Sequence, residues 1–201
     1  LFNNMKNTLT KIRLFAGAII AVTLLSGCAT DYTNKNPTGH MFPDISGQSL
    51  DKKSYRIPQD FSADKTLLLI GYRQNSQFDI DRWMIGLDMT NTKLPVIELP
   101  TIQGFFPRLF NNKIDEGMRS GIPDELWQAV ITVYKDGSRV QAFTGNEKPN
   151  NARVVLLNDT GRVIYFYDRG FSVDALNKLR KAVERRESGS QPYDKVSDIS
   201  D

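Results

Sequence analysis

Residues 152–167 read ARVVLLNDTGRVIYFY, and this stretch decides the fold. Ala152–Leu157 is dominated by aliphatic side chains, Asn158–Gly161 is a tight-turn sequence, and Arg162–Tyr167 is a second β-prone run. Two such runs closed by a turn that ends on glycine read as an antiparallel hairpin. The next segment changes period. In Phe171–Arg186 the side chains of Ala175, Leu176, Leu179 and Val183 fall on one helical side, the spacing of an amphipathic helix. Ser172 is placed to cap that helix, Asp174 lies in its first turn, and Lys181, Arg185 and Arg186 suit the negative end of its dipole.

Toward the N-terminus the same alternation of strand and helix continues. Thr66–Tyr72 (TLLLIGY) is an unbroken apolar run, the pattern of a strand buried on both faces. Ser76–Leu87 reads as a helix that Ser76 is placed to cap, with Phe78, Trp83 and Leu87 recurring at helical spacing. Pro95–Leu99 is a short strand. Gly104–Arg119 is a helix carrying Phe106, Leu109, Phe110 and Ile114, closed by Ile122-Pro123. Ala129–Tyr134 is a further strand, followed by a turn at Lys135-Asp136-Gly137, and Arg139–Thr144 reads as strand or irregular. The order β-α-β-α-β-β-α predicts an α/β domain with a mixed central sheet and helices on both faces.

Particular residues carry a resemblance. Phe42-Pro43-Asp44, then Phe61 and the Leu67–Tyr72 strand, resemble the N-terminal part of thioredoxin-fold proteins of the peroxiredoxin type. The hairpin, Gly170 and the terminal helix resemble their C-terminal half. More narrowly, the chain resembles the mitochondrial ATP-synthase assembly-factor family, whose thioredoxin-like domain lacks cysteine. The matching stretches are Tyr72-Arg73 with Gln77 and Trp83, then Met118–Pro123 (MRSGIP), then Gly145-Asn146 followed by Ala152–Asp159, Gly161–Ile164 and Gly170. The resemblance implies a thioredoxin-like three-layer sandwich over residues 42–187 and a role in assembly. In redox-active relatives the nucleophilic cysteine follows the first core strand. Here that segment is Arg73–Asp79 (RQNSQFD), with no thiol. The cis-proline that relatives often carry before the strand matching Ala152–Leu157 is absent, since Asn150-Asn151 stand there and Pro149 lies upstream.

The chain has 201 residues, 26 Lys and Arg against 23 Asp and Glu, and a formal charge of +3. That excess lies wholly in residues 1–27, which hold Lys6, Lys11 and Arg13 and no acid. A formally neutral remainder offers no electrostatic footprint for a phosphate backbone, so no nucleic-acid partner is expected. The positive flank precedes an apolar run, Leu14–Leu25, shorter than the roughly 20 residues that span a bilayer. It ends in Leu25-Ser26-Gly27-Cys28, which resembles the bacterial lipobox. The resemblance implies a lipoprotein signal peptide over residues 1–27 and lipid attachment at Cys28, making the membrane a partner. Ala29 after the cysteine favours the outer membrane, facing the periplasm. Residues 28–41 then read as the lipidated N-terminus and a tether, and residues 188–201 as a disordered tail. Lipidation consumes the single cysteine, which leaves no thiol nucleophile, disulfide or Cys-based metal site. Thiol peroxidase and disulfide-exchange activity are therefore excluded on this reading.

Other chemistry finds little footing. His40, the sole histidine, falls in the expected tether and reads as solvated. Asp79 and Asp81 form a D-x-D pair, but residues two apart on a helix diverge by about 200°, so both read as solvated helix surface. Ser76 lacks an evident base. No cofactor and no metal are expected. Candidate partner-binding residues are Tyr72, Arg73, Gln74 and Gln77 at the functional edge of the fold, Phe105 and Phe106 in the GFFPRLF cluster, and Arg119. Arg73 reads equally as a structural partner of Asp79 or Asp81, and the Phe105–Phe110 cluster as core or exposed patch. Trp83 and Trp127 read as core anchors. The function expected is a non-catalytic, membrane-anchored module that binds an envelope protein or assists its assembly. The alternatives are a divergent enzyme or small-ligand binder using the Tyr72–Asp79 edge, or a passive structural lipoprotein.

Overall fold

The computed structural model describes residues 31–102 and 111–185. Its strands are β1 (Ile45–Ser49), β2 (Ser54–Ile57), β3 (Lys65–Gly71), β4 (Val96–Pro100), β5 (Ile131–Thr132), β6 (Arg153–Asn158) and β7 (Val163–Tyr167). Its helices are α1 (Gln77–Met89), α2 (Asn111–Gly121), α3 (Gly137–Thr144) and α4 (Val173–Glu184). Strands β4-β3-β6-β7 form one sheet and β2-β1-β5 another. Parallel bridges from Val130 to Glu98 and from Val133 to Thr101 stitch β5 to the β4 edge. β3 pairs parallel with β4 and antiparallel with β6, so the sheet is mixed.

Strand β3 explains the layering. Its side chains alternate between faces, and both faces are filled. Leu67 and Leu69 pack with Ile80, Trp83 and Leu87 of α1 and with Leu176 and Leu179 of α4. Leu68 and Ile70 pack with Ile45, Ile57, Phe42 and Val140 of α3. Helices thus cover both faces, and the domain is a thioredoxin-like sandwich. The two helices of the first face approach closely because α1 carries Gly86. A Cβ there would lie 2.9 Å from both Leu176 and Phe171 side-chain atoms. Strand, turn and helix follow in the order expected of residues 152–186. Gly161 closes the hairpin at φ +81°, a conformation that costs glycine little. The Ser172 side chain caps α4 by accepting from Ala175 N at 3.2 Å.

Several elements differ from the sequence expectation. The β1–β2 hairpin was not anticipated, because its strands (ISGQS and SYRI) are short and mostly polar. Arg139–Thr144 belongs to a helix, α3, whose Val140, Phe143 and Thr144 turn inward at helical spacing. The expected Ala129–Tyr134 strand shrinks to β5, since Asp124–Ala129 is a 3₁₀ turn. Trp127 is a half-buried surface residue, whose indole N–H donates to Ile122 O at 2.8 Å. Of the expected Gly104–Arg119 helix, the described part lies in α2, while Phe105, Phe106, Leu109 and Phe110 lie outside the described residues. Residues 1–30, with Cys28, and residues 186–201 lie outside them as well. Among the described residues no helix is long and apolar enough to cross a membrane.

The largest correction concerns the tether. From Tyr32 onward the chain is bound to the domain along its length. Tyr32 N donates to the Asn146 side chain at 2.7 Å and Asn146 N to Tyr32 O at 2.9 Å. Lys35 N donates to Thr144 O, Gly39 N to Val163 O, and Phe42 N to Gly161 O. Pro37 is buried, whereas His40 is exposed. Polar composition signalled a linker here, but the backbone groups of this strap supply the bonds that fix it.

Candidate functional site

At the C-terminal end of β3 the chain turns sharply. Gly71 makes the turn possible, because a Cβ on it would lie 2.5 Å from Ser76 Oγ. Ser76 is buried and its hydroxyl donates to Arg73 O at 2.6 Å. It therefore braces the 73–76 loop instead of capping α1, whose N-terminus has no side-chain cap. The loop presents Arg73, Gln74 and Asn75 to solvent.

The facing wall is the turn before β6, and a buried arginine builds it. Arg153 has no exposed surface. Its Nη1 donates to Lys148 O (3.0 Å) and Asn151 O (2.9 Å), and its Nη2 to Glu147 O (2.6 Å) and the Asn34 side chain (3.3 Å). One planar fork thus ties the turn and the strap together, a task suited to guanidinium geometry. Its carbon Cζ also lies 4.9 Å from the centre of the Tyr72 ring. Burial lowers the Arg153 pKa, opposed by Tyr72, Asp168 and Glu147. Burial likewise pushes the Tyr72 hydroxyl well above its usual range, although Thr144 and Arg153 pull it back. That hydroxyl lies 2.5 Å from Thr144 Oγ1 and 3.3 Å from Val140 O. It is a fixed structural group.

Between the two walls lies a polar cleft of about 350 Å³, lined by Arg73, Gln74, Asn75, Pro149 and Asn150. Among the described residues Arg73 makes no ion pair. Both carboxylates weighed as its partner are engaged elsewhere, Asp81 by Gln77 and Asp79 by backbone amides. Asp79 is buried and accepts from Ala152 N (2.9 Å) and Phe171 N (2.7 Å), which locks α1 to the start of β6 and the approach to α4. The solvated-surface expectation for Asp79 is thus corrected, whereas Asp81 is exposed. Gln77 donates to Asp81 (3.0 Å) and Glu98 (3.4 Å) and does not line the cleft. Burial raises the Glu98 pKa, and Asp81 adds to the rise while Gln77 opposes it.

Of the residues singled out from sequence, the structure brings Arg73 and Gln74 to the cleft. Arg119 lies elsewhere, donating from Nε to Leu50 O at 2.6 Å and resting over the Trp127 ring. Its guanidinium holds α2 to the β1–β2 loop and is already occupied. Asn75, Pro149 and Asn150 were not singled out. The expected position of a cis-proline pointed to Asn150, but loop residues carry no periodic signal.

A second depression, of about 640 Å³, lies at the opposite end of the sheet beside Lys65, Pro95 and Asp159. Its Lys65 ammonium is spent on the last carbonyls of α4, Ala182 O and Val183 O, and on Arg185 O. It is larger but presents a cation already satisfied.

No protein-family model and no curated protein sequence matches the chain. Solved structures do match. Copper-bound yeast Sco1 aligns over 79% of this chain and 99% of its own, with 9% identity and a TM-score of 0.53. BsSco, a member of the Sco family of cytochrome c oxidase assembly proteins, aligns over 75% and 97%, with 12% identity and a TM-score of 0.51. The thioredoxin domain of a thiol-disulfide oxidoreductase from Bacteroides vulgatus aligns over 74% and 99%, with 16% identity and a TM-score of 0.48. At these identities the likeness speaks of architecture alone, and the Sco alignments identify that architecture as thioredoxin-like.

Proposed function

We propose that this protein is a lipid-anchored, non-catalytic thioredoxin-like module that binds a protein of the bacterial envelope through the Arg73–Asn150 cleft and assists its assembly. One observation carries the reading. The loop after β3, where redox-active relatives place their nucleophile, presents amides and a guanidinium with no ion-pair partner among the described residues, instead of a thiol. Arg73 is a rigid multi-donor fork for a carboxylate. Gln74, Asn75 and Asn150 supply donors and acceptors of the kind that pair with an extended backbone. The cleft therefore suits an acidic peptide segment of a partner.

Catalysis is disfavoured by where the reactive groups lie. The sole cysteine is Cys28, the sole histidine is exposed on the strap, and Ser76 is buried against its own loop. The lipobox resemblance supports acylation of Cys28 and an outer-membrane location facing the periplasm. The assembly role draws on the resemblance to ATP-synthase assembly factors. An ATP-synthase client does not suit an outer-membrane lipoprotein, so that client is not carried over.

The test is site-specific photo-crosslinking in the living bacterium, with the probe at Asn75 or at Asp159 on the far end. A discrete partner captured at Asn75 and not at Asp159 is the expected outcome. Equal capture at both sites, or saturable binding of a small ligand with no protein captured, would overturn it.

A further inference from the structure

The packed strap shortens the tether. Had residues 28–41 been a free linker, the domain could have tumbled above the membrane in any orientation. Among the described residues the first one anchored is Tyr32, bonded in both directions to Asn146. Cys28 precedes Tyr32 by four residues, a span of at most about 14 Å even when fully extended. Asn146 is likewise four residues from Asn150 in the cleft wall. From this end the strap runs the length of the domain, reaching Val163 and Gly161 at the other.

The strap is also not free to spool out. It passes over Gly145, where a Cβ would lie 2.2 Å from Asn34 Cα and 2.5 Å from Thr33 O. The Arg153 fork reaches the Asn34 side chain from below. The chain therefore leaves the domain beside the cleft.

We propose that the end of the domain bearing the cleft faces the phospholipid headgroups, so that a partner segment enters the cleft from the bilayer side. This rests on lipidation of Cys28. The exposed charges of that end balance, Arg73 and Lys148 against Asp31 and Glu147, so the short tether sets the orientation. The Asp159-Thr160 turn then points away, separated from the cleft wall by the six residues of β6, about 20 Å. The orientation also restricts the partner, which presents its acidic segment close to the membrane.

The test uses the mature lipoprotein purified from bacterial membranes, carrying Glu147→Cys or Asp159→Cys. Each new thiol is the only free one, because the Cys28 sulfur is acylated. A fluorophore on it is read in vesicles of phosphatidylethanolamine and phosphatidylglycerol that contain a headgroup spin-labelled lipid. The expected result is severalfold stronger quenching at 147 than at 159. A long Gly/Ser insertion between Thr30 and Asp31 is expected to shrink that ratio, and an unchanged ratio overturns the short-tether argument. Intact mass separates the two ways of failing. A mature chain without acyl mass overturns the anchored reading and this inference with it. An acylated chain quenched equally at both positions overturns the orientation alone.

Discussion

Replacing Arg153 by methionine tests the construction of the cleft wall. Met matches the stem of arginine in length and fills the same buried space, so the change removes the guanidinium with little cavity. Three bonds of 3.0 Å or less, to Lys148 O, Asn151 O and Glu147 O, are lost, with the contact over Tyr72. Bonds from a charged donor contribute about 1.5–3 kcal/mol each, and a desolvated cation over a ring about 2 kcal/mol. Burying the cation costs several kcal/mol in return, and the freed carbonyls lie in an exposed turn that water can reach. The expected net loss is about 2–4 kcal/mol, or roughly 1–2 M in urea midpoint. Arg153→Lys keeps the charge without the fork and is expected to lose about half as much. The assay is urea unfolding of the mature domain with Cys28→Ala, followed by circular dichroism, with limited proteolysis of residues 32–42 as the local readout. An Arg153→Met variant as stable as the parent, with its strap still protected, would refute the reasoning.

Three further perturbations follow from the same contacts. Asp79→Ala leaves the buried Ala152 amide and the partly buried Phe171 amide without their acceptor, a loss of about 2–5 kcal/mol; a loss within measurement error in urea unfolding would show that water replaces the carboxylate. Gly145→Ala forces a Cβ into Asn34 and Thr33 at a φ of +80°, which is expected to free the strap to protease while the sheet stays folded. Continued protection would contradict that. Glu98→Gln tests a pH sign: the folded carboxyl has its pKa raised above the ordinary value of 4.5, mainly by burial. The native state then keeps a proton over a window in which the unfolded chain has lost it, so the parent gains stability as pH falls from neutral through that window. The glutamine variant should be the more stable at pH 7, with an advantage that shrinks toward pH 4.5, and parallel stability curves would exclude the assignment.

What the sequence disclosed follows the strength of local signals. The TLLLIGY run, the hairpin turn on Gly161 and the Ser172-capped helix each combine pattern, breaker and cap, and all three elements formed where the periodicity put them. The β1–β2 hairpin escaped because ISGQS buries only its two end residues and SYRI only Ile57. The strap escaped for the same reason: TNKNPTG is polar, yet its order comes from Thr144, Asn146 and Val163. At the site, the absence of a thiol in the loop after β3 was legible. The roles of Asp79 and Arg153 were not. Each is a charged side chain made structural by backbone groups of other segments, a pairing invisible to charge counting and helical periodicity.

The central claim is that the Arg73 guanidinium, exposed in a thiol-free cleft, recruits a protein partner. Crosslinking yield from a photoreactive group at Asn150 in living cells tests it most directly, compared among the parent, Arg73→Lys and Arg73→Glu. The account predicts one discrete adduct, reduced by the lysine that keeps charge without the fork and abolished by the glutamate, with the protein level unchanged. The same adduct at the same yield in all three would contradict it.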